Sequence, residues 1–159
     1  MPLYDWLLFL HVLAGAAIVA ALVLFGAAVL GARKSERPSA VASSLDLARL
    51  GGVLFDVGGT AILVLGIWLA FEADYGLGEP WIVAAIVLWV VAAGAGARAR
   101  RRYLATRSRA GELERGGDHP DGELAASVRD RTAFALYVAA AAAVFLMLLL
   151  MVFKPGTGS

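Results

Sequence analysis

The chain has 159 residues, of which 60% are hydrophobic, and its mean hydropathy is +0.76. A soluble domain is usually closer to half apolar, so this composition indicates a membrane protein, and the length allows one domain. The chain contains no cysteine, which excludes a disulfide framework, iron–sulfur ligation and thiol catalysis. The formal net charge is only +1, but this balance conceals an uneven distribution of charge along the chain.

Four apolar stretches are long enough to cross a bilayer as helices, since a hydrocarbon core of about 30 Å needs about 20 apolar residues. In chain order, the predicted spans cover residues 6–30, 50–71, 81–97 and 132–153. Two long connecting loops are expected at residues 31–49 and 98–131. The predicted fold class is therefore all-α: a single transmembrane domain over residues 1–159, built as an integral membrane four-helix bundle.

Basic residues indicate which side of the membrane each connection faces. Every Lys and Arg except Lys154 lies in the connections at 31–49 and 98–131, whereas residues 72–80 carry three acidic residues and no base. Because cytoplasmic loops are enriched in Lys and Arg, the sequence predicts two basic cytoplasmic loops and both termini outside. The abundance of Ala, Gly and Arg is typical of a GC-rich bacterial genome, so the predicted location is the bacterial cytoplasmic (inner) membrane, crossed several times.

Small residues predict how the helices pack. Gly52, Gly59 and Gly66 recur every seven residues and form one stripe on the second span, and Gly15 lies in the first. Helices in lipid associate largely through close contact at such residues, so the first three spans are expected to pack tightly. Trp89 and Thr60 have similar depths, which leaves open either a Trp N–H bond to the hydroxyl or packing without it.

Asp56 places a carboxylate within the second span. An ionised carboxylate is costly there, so it should be paired or should face a polar cavity. Arg98 ends the third span and Arg131 opens the fourth, and either is placed to reach Asp56. Two interpretations are open: a structural ion pair that fixes the bundle, and a proton or ion relay.

The stretch LLFLHVLAG places His11 about one turn inside the predicted outer face. Met147 and Met151 in the fourth span lie at a similar depth and one turn apart. Neutral imidazole is a good ligand for haem or copper, and thioethers suit Cu(I), so these three residues are candidate ligands for a b-type haem or for copper. The alternative is that His11 makes a structural hydrogen bond and the methionines fill the helix interface.

The run RARRRYLATRSR, residues 98–109, follows the third span directly. Anionic lipid headgroups attract basic side chains at that edge of a membrane, so the expected partners are the lipid bilayer and its anionic headgroups, and no nucleic acid is predicted. No Gly-rich phosphate loop, HExxH spacing or nucleophile elbow is present, so no catalytic residue is assigned and an enzyme is the less favoured class.

Three functions remain open at this point. The first is a non-enzymatic accessory or assembly subunit that holds a membrane-protein partner, or a second copy of itself, through its small-residue faces. The second is a redox membrane protein that binds haem or copper through His11. The third is a proton-coupled small-solute carrier that uses Asp56, although four spans leave little room for alternating access without dimerisation.

Two motifs resemble known families. YDWLLFLHVLAG at the start of the chain, and WIVAAIVLWVV with the arginine run that follows it, resemble a family of small uncharacterised bacterial four-span membrane proteins with a His-bearing first helix. More distantly, the His-bearing helix is similar to the copper-resistance D-type membrane domain and to the small bacterial membrane protoporphyrinogen oxidase, which is associated with haem. This second resemblance implies haem or copper at His11 alone.

Overall fold

The computed structural model describes residues 2–153, which form four long helices and one short one. The helices are α1 (Pro2–Lys34), α2 (Pro38–Glu72), α3 (Pro80–Arg115), α4 (Gly122–Val128) and α5 (Arg131–Phe153). Four segments are long and apolar enough to cross a membrane: α1, α2, α3, and α4 together with α5. The predicted all-α fold with four membrane-length helices is confirmed.

Proline and aspartate set several helix starts. Pro38 and Pro80 occupy the first turns of α2 and α3, where a missing backbone N–H costs little. Asp121 is the N-cap of α4, because its carboxylate accepts a hydrogen bond of 2.7 Å from the backbone N–H of Leu124.

Two segments that were expected to be loops are largely helical. α2 already begins at Pro38, and α3 continues through the arginine run to Arg115, so residues 35–37, 116–121 and 129–130 are the non-helical parts of these connections. The physical reason is that Ala, Arg, Leu and Glu are strong helix formers in water as well as in lipid. Apolar length therefore predicts where a span ends, but the helix itself continues past that point.

The helices pack in an antiparallel arrangement. α1 lies along α2, α3 lies along α5, and contacts between α2 and α3 join the two pairs. We call the end with the α2–α3 connection the tryptophan end, because Trp6, Trp68 and Trp81 lie near the helix termini there, and the opposite end the arginine end. Large apolar side chains cover the outward faces of the helices, as a lipid-embedded bundle requires.

Two apolar clusters fill the interior. The cluster at the arginine end joins all five helices, with Val29, Leu45, Tyr103, Leu124 and Ala133 among its buried members. The second cluster lies nearer the tryptophan end and includes Ile18, Ile62, Ala92, Val144 and Met147. The first cluster shows that the charged parts of α2 and α3 belong to the packed body of the protein.

Arginines of α3 tie the helices together at the arginine end. Arg102 pairs with Asp130 at 2.7 Å and Arg107 with Asp46 at 2.9 Å, while Arg109 pairs with Glu123. These side chains are partly exposed, so each pair contributes little alone. Together they link α3 to α2, to α4 and to the start of α5.

A carboxylate from a distant turn caps α2. The backbone N–H and the hydroxyl of Ser39 each donate a hydrogen bond of 2.7 Å to Asp118, which lies 79 residues away. The turn before Asp118 uses Gly117 at φ +122°, a conformation that favours glycine. The two bonds lower the pKa of Asp118 below its usual value, the backbone bond more than the hydroxyl bond.

We expect Asp118→Asn to lower the melting temperature of the detergent-purified protein at pH 7. The pKa of Asp118 is lower in the folded state than in the unfolded state, so its stabilisation is present above the unfolded pKa of about 3.9 and is lost as pH falls through the folded pKa. The difference from the unmodified protein should therefore shrink below about pH 4. Asp74→Asn is the control. Asp74 lies in the connection between α2 and α3 and has the same backbone φ of 56° as Asp118. Equal losses in both variants, or a loss that does not change with pH, would contradict this role.

Candidate ligand-binding site

The glycine stripe of α2 faces the interior of the bundle. A Cβ placed on Gly66 would lie 3.0 Å from Cε1 of His11, and one on Gly52 would lie 2.7 Å from Cδ of Arg100. A Cβ on Gly59 would lie 3.7 Å from Nε1 of Trp89, an ordinary contact. Each glycine of the stripe therefore faces one large side chain of a neighbouring helix.

His11 reaches from α1 across to α2. Its ring lies against Gly66 and interacts with the backbone of Ile62. The Nδ1 atom is buried and has no hydrogen-bond partner among the described residues. A buried polar atom without a partner is costly, so this nitrogen is available to a ligand. One turn further along α1, a Cβ placed on Gly15 would lie 3.6 Å from Cδ1 of Ile62.

His11 lines a cavity of about 530 Å³ near the tryptophan end, which we call the histidine cavity. Its walls come from α1, α2, α3 and α5 and are mostly apolar. The aromatic side chains in these walls are Tyr4, Tyr75, Trp81 and Trp89. Cavities of this size, apolar with a few polar groups, are typical of sites for small organic ligands.

The structure brings the three candidate ligands to one cavity. Met147 is buried and Met151 half-buried, and both line the histidine cavity together with His11. Met147 also packs in the apolar cluster around Ile62, so it fills the helix interface as well. The three residues whose depths match in the sequence thus lie in the wall of one cavity.

Trp89 closes the arginine-end side of this cavity. Its indole N–H donates a hydrogen bond of 2.9 Å to the backbone carbonyl of Gly59. The hydroxyl of Thr60 donates instead to the carbonyl of Asp56 at 2.8 Å. The bond from Trp89 therefore goes to the α2 backbone, and it fixes the orientation of the ring.

Asp56 is paired with a different arginine from the two expected. Arg100 donates to its carboxylate at 2.5 Å and to the carbonyl of Gly52 at 3.2 Å, while Arg98 donates to the carbonyl of Gly94 within its own helix. Arg131 is the first residue of α5 and forms no ion pair within residues 2–153. The reason is rotational: residues 98 and 100 differ by about 200° around a helix with 3.6 residues per turn.

The pair lines a second cavity, of about 330 Å³, which we call the ion-pair cavity. All four long helices contribute to its walls. They are built mainly from small residues, with Phe25, Phe55 and Tyr137 as larger ones. Tyr137 is held in place by a hydrogen bond of 3.0 Å from its hydroxyl to the carbonyl of Leu22.

The fold and the sites together define a multi-pass integral membrane protein with two cavities between its helices. A family model described as "Predicted integral membrane protein (DUF2269)" matches residues 5–155, and the chain belongs to this family. No curated protein and no solved structure matches the chain.

We expect Gly66→Ala and Gly59→Ala to have different effects on stability. Replacing glycine by alanine inside a helix favours the helix by up to about 1 kcal/mol, and at Gly59 nothing opposes that gain. At Gly66 the added methyl must displace the imidazole of His11, so the gain should be lost or reversed. Thermal unfolding in detergent measures both. A Gly66→Ala protein stabilised as much as Gly59→Ala would mean that His11 is not packed on Gly66.

Proposed function

We propose that this membrane protein binds a bulky, largely apolar prosthetic group in the histidine cavity, with His11 as its anchor. The single observation that carries the proposal is the buried Nδ1 atom of His11, which has no partner among the described residues and lies in the wall of a 530 Å³ apolar cavity. The cavity supplies the apolar surface that such a group needs, and His11 supplies one directional contact.

The residues present fit a b-type haem. His11 would supply an imidazole ligand to the iron, and Met147 or Met151 a thioether, while aromatic and aliphatic walls would surround the macrocycle. The imidazole packs against Gly66, in space that a Cβ at this position would take. Bound haem would supply one-electron redox chemistry, and the protein would provide ligation, orientation and an apolar surrounding.

Copper and an accessory role have less support from the geometry. A single Cu(I) ion suits the same donors, but it would fill only a small part of the 530 Å³ cavity. The accessory-subunit hypothesis relied on small-residue faces to hold a partner or a second copy. The stripe of Gly52, Gly59 and Gly66 instead packs against His11, Trp89 and Arg100 of the same chain, so it offers little surface to another protein.

The charge distribution supports an orientation with the arginine end in the cytoplasm and both termini outside, in a bacterial cytoplasmic membrane. The paired arginines of α3 hold helices together. Exposed arginines between them, such as Arg101, would contact anionic headgroups. In this orientation the histidine cavity lies in the outer half of the bilayer.

The haem proposal is tested with protein purified from haem- and copper-replete cells. We expect a Soret absorbance band and stoichiometric haem in the unmodified protein, and a loss of most of both in His11→Ala, because His11 is the anchoring ligand. His119→Ala is the matched control, since His119 is the other histidine of the chain and lies in the connection between α3 and α4. Haem retained in His11→Ala, or a colourless unmodified protein, would contradict the proposal, and copper lost in its place would favour the metal-ion alternative.

The orientation is tested by cysteine labelling, because the chain has no cysteine of its own. Gly76 lies in the α2–α3 connection and Gly122 at the start of α4, and a Cβ at either meets open space. We expect an impermeant thiol reagent added to intact cells to label Gly76→Cys at once and Gly122→Cys only after lysis. The reverse pattern would invert the orientation.

A further inference from the structure

We infer that the ion-pair cavity binds the head ring of a neutral, lipid-soluble compound of the isoprenoid quinone class, as quinone or quinol, while its tail stays in the bilayer. The site is separate from His11, since Trp89 is the one described residue that lines both cavities. The inference therefore stands or fails independently of the haem proposal.

The ion-pair cavity opens on the lipid-facing side of the bundle. Asp56 and Thr60 lie one turn apart on α2 and are exposed at this opening, with 57% of the Asp56 side chain accessible. Asp56 is about 9 Å along the helix from the start of the apolar span at residue 50. A carboxylate exposed at that depth is costly unless polar groups cover it. A ligand dissolved in the bilayer would reach this opening directly and supply that cover.

Asp56 and Arg100 leave part of their hydrogen-bonding capacity unused. Nη1 of Arg100 donates to Oδ2 of Asp56 and to the carbonyl of Gly52. Within residues 2–153, Nε and Nη2 of Arg100 and Oδ1 of Asp56 form no hydrogen bond. A guanidinium N–H can donate to a carbonyl oxygen, and a carboxylate can accept from a hydroxyl. A quinone carbonyl matches the first group, and a quinol hydroxyl matches both.

The charge of the cavity favours a neutral head over a phosphate. Because Asp56 is paired with Arg100, the two together carry little net charge with which to attract an anion, and the carboxylate would repel one. Among the described residues that line this cavity there is no further Lys or Arg. A phospholipid headgroup is therefore a poorer match than an uncharged ring with oxygen substituents.

The walls of the cavity suit one flat ring. Phe25, Phe55, Trp89 and Tyr137 line it together with small residues of α2 and α3. Trp89 and Tyr137 already donate to backbone carbonyls, so their rings are held in place and present apolar surface to a ligand. The volume of about 330 Å³ lies at the small end of the range for organic ligands, which fits a head ring better than a macrocycle.

The test measures equilibrium binding to the full-length protein in nanodiscs of a zwitterionic phospholipid, with binding to empty nanodiscs subtracted. The probes are a radiolabelled benzoquinone and a radiolabelled naphthoquinone, each with a short alkyl tail. We expect saturable binding of at least one probe. Ala93→Leu should weaken it roughly tenfold or more, because the larger side chain takes space inside the cavity. Ala95→Leu is the matched control, since Ala95 lies on the same helix and lines neither cavity.

Arg100→Lys is the second variant, and it serves if Ala93→Leu does not fold. It keeps a positive charge beside Asp56 but removes the planar guanidinium and its unused N–H groups. The loss of a hydrogen bond to a charged donor should weaken binding by about tenfold.

The location of the bound probe is tested with Ala85→Leu, which takes space in the histidine cavity and should leave binding unchanged. Saturable binding of neither probe would overturn the inference. So would unmodified binding in folded Ala93→Leu or Arg100→Lys, an equal loss in Ala95→Leu, or a loss in Ala85→Leu in place of Ala93→Leu. Displacement of both probes by phosphatidylglycerol would assign the cavity to an anionic headgroup and would also overturn it.

Discussion

The structure depends on one glycine face of α2, against which large side chains of α1 and α3 pack. In lipid there is little hydrophobic drive between helices, so association relies on packing and on interhelical hydrogen bonds. Gly52, Gly59 and Gly66 meet this need in an unusual way, because each accommodates a large side chain with a polar atom from α1 or α3. Filling the space at Gly52 or Gly66 would displace the side chain that packs there.

The glycine face also sets the depth of each polar group. Along α2 the order from the arginine end is Arg100 at Gly52, Trp89 at Gly59 and His11 at Gly66. Seven residues correspond to about 10 Å of rise, so the three side chains lie at three separate levels of the bilayer. The ion pair therefore belongs to one cavity and His11 to the other, with the indole between them.

Much of the fold could be predicted from the sequence, and the reason is physical. Apolar length decides whether a segment crosses the bilayer, and the seven-residue glycine spacing decides which face of α2 packs inward. The extension of α3 through the arginine run could not be predicted in this way, since a polar helix carries no such signal. The cap of α2 by Asp118 was equally invisible, because its partner Ser39 lies 79 residues away.

The site was predictable in its composition and not in its geometry. His11, Met147 and Met151 share a depth that can be read from the sequence, and they do line one cavity. Which arginine reaches Asp56 depends on helix rotation, and Arg98 and Arg100 differ there by more than half a turn. The wall that Trp89 makes depends on the packing of four helices at once, which no single span encodes.

Most polar side chains inside the bundle have hydrogen-bond partners, whereas Nδ1 of His11 and the hydroxyl of Tyr103 have none among the described residues. Asp56 has Arg100, Trp89 has the carbonyl of Gly59, and Tyr137 has the carbonyl of Leu22. A buried polar atom left without a partner costs about 1–3 kcal/mol. Nδ1 of His11 lies in the wall of a large apolar cavity. A bound group that coordinates this nitrogen, or forms a hydrogen bond with it, would remove that cost and so be stabilised.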